Sequence, residues 1–309
     1  MMKVEDFKLG IIYTASAYLL WGFLPIYWKL IEGVTASEIL AHRIIWSFAF
    51  MMIILFVSKN WYPFLEECRR LIKNKKRLIG ITLASIVISL NWLIFIWAVN
   101  SNHVVDASLG YYINPLVSIL LGVIVLKEKL SFWQLMAAFI AFLGVLNMTI
   151  NFGSVPWVSL VLATSFGLYG LLKKLFPIKA MYGLTIETML VTPIALLFLL
   201  NTHFGSWSSI QLFNMESGLL LLAGAVTAIP LLLFAGGAAR IPLSLLGFLQ
   251  YITPTIMLIL GVLLYHEPFT SVHLTSFTLI WIACAVYSLS RTKLFTRLEP
   301  KILRKRKSM

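Results

Sequence analysis

Apolar residues run through this chain in ten long blocks, and charge is confined almost entirely to the gaps between them. The blocks cover 10–29, 37–57, 78–99, 106–126, 131–149, 155–172, 182–200, 217–235, 242–264 and 273–290. Each is near the ~20 residues that an α-helix needs to cross about 30 Å of hydrocarbon. The short alternating segments of a membrane β-barrel are absent. The pattern predicts an all-α integral membrane protein with ten transmembrane helices.

Composition agrees. Of the 309 residues, 60% are apolar and 12% charged, against about a quarter charged in a soluble domain. Ala15-Ser16-Ala17 resembles a cleavage site, but the span continues past it, so no cleaved signal is expected. Cys68 and Cys284 fall on a loop and on the last span. They suggest two unpaired thiols, with no disulfide framework and no metal site.

The net charge of +13 could suggest nucleic acid, but its placement argues otherwise. With ten spans of alternating direction, all of the 25 Lys and Arg except Lys29 and Arg43 fall on one side. The positive-inside rule then puts both termini in the cytoplasm of a multi-pass inner (plasma) membrane protein. The basic tail 291–309 is expected to lie against anionic lipid.

Two spans are copies of each other. "ASLGYYINPLVSILLGVIVLKEK" begins at Ala107 and "LLGFLQYITPTIMLILGVLLYHEP" at Leu245. A shift of 139 positions superposes Tyr112 on Tyr251, Pro115 on Pro254, Gly122 on Gly261 and Glu128 on Glu267. The fourth span thus maps on the ninth. An odd five spans per repeat makes the second half enter the membrane from the other side, an arrangement of secondary transporters with a midplane site. The expected organisation is a first repeat at 1–150, a second at 151–290 and a cytoplasmic tail at 291–309. The paired prolines Pro115 and Pro254 are expected helix interruptions near the transport site. Glu128 and Glu267, on opposite sides, read as helix ends.

Charged residues are costly inside a bilayer and mark the protein interior or a water-filled cavity. Arg43 lies about a third of the way into the second span, after His42. It is read as an anion-facing or gating charge, or equally as a snorkelling residue or a partner of Glu38. Glu187, early in the seventh span, is a candidate proton-coupling group or an interfacial carboxylate. Tyr111 and Asn114 share one polar stripe with Ala107, Ser118 and Gly122, at helical spacings of three and four. Gln250, Thr253 and Gly261 repeat it less cleanly in the ninth span, and Tyr111, Asn114, Gln250 and Tyr251 are the expected substrate contacts. Asn91 is either cavity-facing or an interhelical hydrogen bonder. Trp21, Trp92 and Trp97 lie deep enough to line a cavity, whereas Trp28, Trp61, Trp157 and Trp207 fit an aromatic belt.

No phosphate-binding G-x-x-x-x-G-K-[ST] loop, H-E-x-x-H or G-x-S-x-G occurs, and no loop is large enough for a catalytic domain. The chain is therefore not expected to be an enzyme. The residues support a secondary active transporter of small organic metabolites or drugs working by alternating access. A passive channel or facilitator, or a membrane-embedded enzyme, are the alternatives. A small-molecule substrate and membrane lipids are the expected partners, with a homodimer open. Nucleic acid is not expected. No cofactor is expected beyond coupling protons.

"AYLLWGFLPIYWKLI", "EILAHRIIWS", "NWLIFIWAVN", "ASLGYYINPL", "IETM" and "GFLQYITPT" closely resemble RarD-type permeases of the EamA group, in the drug/metabolite transporter superfamily. The resemblance runs from about residue 8 to 290, in the same order. It implies ten helices in two inverted five-helix repeats, a central cavity and export across the bacterial inner membrane. It transfers no agreed set of site residues.

Overall fold

The computed structural model describes residues 4–31, 34–100, 104–151, 157–203, 215–264, 270–290, 292 and 295. Among them the chain is all-helical. The elements are α1 (Val4–Lys29), α2 (Ala36–Val57), α3 (Trp61–Lys73), α4 (Lys75–Asn100), α5 (Val104–Ile124) and α6 (Phe132–Asn151). There follow α7 (Trp157–Leu175), α8 (Ala180–His203), α9 (Met215–Ala238), α10 (Leu243–Gln250), α11 (Ile252–Leu263) and α12 (Ser271–Leu289). Among the described residues, nine helical stretches are long and apolar enough to cross a membrane, one of them the pair α10–α11. The described part of α5, Gly110–Ile124, is a shorter apolar helix. Every block of the hydrophobic pattern has a helical counterpart. The basic tail, apart from Thr292 and Phe295, lies outside the described residues, as do Glu267, Trp207 and the side chains of Asn100 and Asp106.

Large apolar side chains such as Ile53, Leu120, Phe139, Ile194 and Leu197 are exposed on the outside. They are apolar surface fit for lipid tails. The interior mixes alanines, aromatics and branched aliphatics, and glycines let helices approach closely where, without a hydrophobic drive between them, packing must hold them. Gly224 of α9 shows how close: a Cβ there would sit 2.3 Å from the Trp46 carbonyl carbon of α2. Ser47 Oγ donates to the Gly224 carbonyl at 3.2 Å across the same contact. At Gly247 of α10 a Cβ would stand 2.7 Å from the Pro115 carbonyl oxygen of α5.

The most extensive packing runs between α1–α6 and α7–α12, and the contacts come in matched sets. As α5 packs on α7, α10 and α11 pack on α1. As α4 packs on α7, α9 packs on α1. As α2 packs on α9, α8 packs on α4. Three pairs match themselves: α2 with α8, α5 with α10, and α6 with α12.

Two features depart from the sequence pattern. The stretch 58–77, read as a loop, carries the amphipathic α3. Phe64 and Leu71 are buried against Leu55, Ile81, Tyr182 and Ile186, while Arg69 and Arg70 face outward. Arg77 Nη2 donates to Glu67 Oε1 at 2.7 Å and ties α3 to the start of α4. The second departure is an asymmetry between the copied spans. α5 runs unbroken through Pro115, whereas the later copy divides at Tyr251 into α10 and α11. Pro254 has no N–H for the Gln250 carbonyl, which leaves the ladder open at that junction. In α5 the same loss at Tyr111 is absorbed without a break.

Candidate functional site

Arg43, on the second turn of α2, is 5% exposed. Its Nε donates to Thr227 Oγ1 of α9 at 2.7 Å. The guanidinium lies 4.3 Å from the centroid of the Trp92 ring of α4 and 5.3 Å from that of Trp28 of α1. Both contacts are cation–π in character. Among the described residues no carboxylate pairs with it. The Glu38 partner that the spacing allowed is not engaged with Arg43; Glu38 instead accepts from Thr35 Oγ1 at 3.4 Å. Tyr111 of α5 is an electrostatic neighbour of Arg43, and its ring meets Phe95 edge-on at 5.7 Å.

A second buried charge lies on α8. Glu187, 3% exposed, accepts from Lys173 Nζ at 2.5 Å and from the Tyr169 hydroxyl at 3.1 Å. Tyr169 and Lys173 are one helical turn apart on α7 and share a face. Trp92 links the two centres: with Glu187, Tyr169 and Ser89 it lines a cavity of about 10 Å³, room for roughly one water.

At the basic end, a groove of about 760 Å³ opens between α1, α8 and α9, lined by Tyr13, Lys179, Met181, Leu232, Gly236 and Arg240 among others. An aromatic cluster centres on Phe234 of α9. Phe234 lies 6.2 Å from Tyr18, 5.6 Å from Trp21, 5.3 Å from Phe166 and 5.8 Å from Tyr169, between ring centroids. Gly236 in the groove and Thr227 at Arg43 are separated by roughly 13 Å of α9, at 1.5 Å per residue. Phe234 lies between them along α9.

Buried polar atoms without partners among the described residues fall in two places: Asn114 Oδ1, Gln250 Oε1 and the Tyr251 hydroxyl on α5 and at the α10–α11 junction, and the Thr14 and Tyr18 hydroxyls on α1. Such groups are rare in native interiors and call for water or a ligand. Asn114 lies one turn from Tyr111 on the same side of α5. Gln250 lies one turn from Gly247, at the contact with Pro115.

Residues 8–150 match the EamA-like transporter family. An uncharacterized transporter, YojE of Bacillus subtilis, is 50% identical over 296 residues, covering 94% of this chain and 97% of its own length. RarD of Escherichia coli K12 is 41% identical over 287 residues, covering 93% and 96%. The chain belongs to the RarD-type EamA transporters. A protein of Pseudomonas aeruginosa named chloramphenicol-sensitive protein RarD is 28% identical over 277 residues, 89% of this chain and 91% of its own. A solved crystal structure at 17% identity superposes with a TM-score of 0.66 over 93% of this chain and 99% of that one. That likeness shows a common fold.

In this RarD-type chain the predicted site residues fall into separate groups. Arg43 and Tyr111 come together, and Asn114, Gln250 and Tyr251 lie along the next crossing. Trp21 belongs to the aromatic cluster. Glu187 is held by Lys173, away from Arg43. Asn91 is occupied as an interhelical hydrogen bonder, donating to the Leu162 carbonyl at 3.0 Å and to Ser165 Oγ at 2.8 Å. His42 Nδ1 accepts from Trp46 Nε1 at 3.3 Å, beside the α2–α9 contact. Trp97 is 42% exposed and lies 5.6 Å from Trp157, at the outer end of α4. Among the described residues no group of three or more His, Cys, Asp or Glu could hold a metal ion.

Three residues at these centres escaped the sequence reading. Lys173 follows the 155–172 apolar block and reads as a loop charge, but α7 continues to Leu175 and turns it inward. Trp28 was placed in the aromatic belt. Thr227 is one hydroxyl in an apolar run, with no local signal beyond its proximity to Pro230.

Proposed function

We propose that this EamA transporter is a secondary carrier that exports small organic solutes by alternating access. Its basic end faces the cytoplasm, and residues 1–150 and 151–290 form two inverted repeats. The exchange of packing partners between the halves supports the repeats: two elements with the same internal geometry, related by a two-fold axis, make contacts in matched sets. Rocking of helix groups, each drawn from both repeats, then exposes a central site to each side in turn.

The observation that carries the carrier reading is the separation of the groove from the buried charge. The wide groove at the basic end shares no lining residue with the surroundings of Arg43, the aromatic cluster around Phe234 packs along α9 between Gly236 and Thr227, and the unpartnered atoms of Asn114, Gln250 and Tyr251 lie outside the groove. A channel needs a continuous path. A carrier needs a site reached from one side at a time. Glu187 is the group we assign to proton coupling, since a carboxylate held by a single lysine can exchange that partner for a proton.

The test uses purified protein in liposomes. A thermal-shift screen of metabolites and drugs, including chloramphenicol, selects solutes for flux. A carrier gives counterflow: unlabelled solute inside accelerates uptake of labelled solute. Flux without counterflow, at rates far above carrier turnover, would refute the reading. Flux indifferent to a proton gradient would remove Glu187 from the mechanism.

A further inference from the structure

The geometry points to Arg43 as the receptor for the carboxylate of an organic monoanion with a flat apolar body. The inference rests on the carrier reading for how such a ligand reaches the site.

An arginine at 5% exposure with no anionic partner among the described residues is an expensive feature. The buried carboxylate in the same core, Glu187, has its cation at 2.5 Å. Arg43 has a hydroxyl and two indole faces. Aromatic rings attract a cation but do not neutralise it. Only Nε is engaged, by Thr227. The two terminal nitrogens have no acceptor among the described residues. They form the fork that takes a carboxylate with two parallel hydrogen bonds. A ligand carboxylate there supplies the missing charge and the missing acceptors together.

Charge and shape narrow the class. One uncompensated cation calls for one negative charge; a doubly charged phosphate ester would bury an excess. Around the guanidinium stand Trp28, Trp92 and Tyr111, with Phe95 against Tyr111, flat rings whose polar atoms are two indole N–H groups and one hydroxyl. They suit a planar body, which stacks at low entropic cost. Thr227, whose hydroxyl already accepts from Nε, fixes the guanidinium plane before the ligand arrives.

The test is thermal stabilisation of the purified full-length protein in detergent, titrated with benzoate, phenylacetate, their neutral amides and phenyl phosphate. Carboxylates are expected to raise Tm in a saturable way, as a ligand that binds only the folded state must. The amides and phenyl phosphate should need at least about tenfold higher concentration. Arg43→Gln should abolish the carboxylate response. Arg43→Lys keeps the charge and loses the fork, and should weaken it by about tenfold; this variant decides the matter if Arg43→Gln does not fold. Equal effects of amides and acids, tighter binding of phenyl phosphate, a full response in Arg43→Lys, or no response to any carboxylate up to about 10 mM would overturn the assignment. Arg43-dependent carboxylate binding without counterflow would remove the carrier reading and leave the receptor. Counterflow of neutral solutes unchanged in Arg43→Lys would do the reverse.

Discussion

Glu187→Gln removes one half of a buried ion pair. The side chains of Lys173 and Glu187 are 11% and 3% exposed, and they meet at 2.5 Å. Glutamine keeps the shape and can still accept from Tyr169, so packing changes little. What changes is that the Lys173 ammonium is left buried without its counter-charge. Breaking a buried pair from one side costs about 3–5 kcal/mol. At about 2–4 °C per kcal/mol for a chain somewhat smaller than this one, Tm should fall on the order of 10 °C. Lys173→Met, which strands the carboxylate, should cost a similar amount. The double variant Lys173→Met/Glu187→Gln buries no unpaired charge and should lie within about 1 kcal/mol of the parent, because replacing both partners of a buried pair is often neutral. The assay is thermal unfolding followed by tryptophan fluorescence in detergent, with all four proteins in one buffer. Single variants that unfold with the parent, or a double variant that loses the sum of the two, would refute a buried pair.

Three further outcomes follow from the geometry. Glu128 accepts from the N–H groups of Leu243 and Ser244 at 2.6 and 3.0 Å and from Ser244 Oγ at 2.7 Å, capping α10; Glu128→Ala should lower stability by about 2–4 kcal/mol, and Ser244→Ala by only about 1, read in the same unfolding assay. Gly224→Ala forces a methyl group into the Trp46 backbone and should abolish recovery of monodisperse protein, while Gly218→Ala, with open space around it, should be harmless. Burial, and then the neighbouring Glu67 carboxylate, push the Cys68 thiol up from its ordinary value; maleimide labelling of Cys68 should therefore be slow at neutral pH and rise as pH increases, since the thiolate is the nucleophile, and Glu67→Gln should speed it at any fixed pH.

The helices themselves were legible because a membrane span announces itself through length and apolarity alone. α3 was not, because its apolar residues Trp61, Phe64, Leu65, Cys68 and Leu71 recur at helical spacing inside a basic segment, where the charges drew the attention. The copied spans revealed which two helices correspond but not that only one would break: Pro115 and Pro254 remove equivalent bonds, and the surrounding packing decides whether the helix continues. Arg43 stood out because a charge in a span is rare. Its setting did not, since Thr227, Trp28 and Trp92 come from three other helices and carry no mutual signal in one chain. Glu187 stands out as a charge inside a span, whereas its partner Lys173 follows the 155–172 apolar block and reads as one more loop charge.

The contact at Gly224 bears on how any motion must be divided. A backbone lodged against another backbone, with Ser47 bonded across it, leaves no room for one helix to slide past the other. In the proposed transport cycle α2 and α9 therefore travel as a single beam. Arg43 sits on one side of that beam and Thr227 on the other, so on that reading the charge and the hydroxyl that aims it keep their mutual geometry, and the lining that changes is the other wall, where Trp28, Trp92 and Tyr111 sit. A bound solute would be carried on a fixed head-group clamp while the aromatic side opens first one way and then the other.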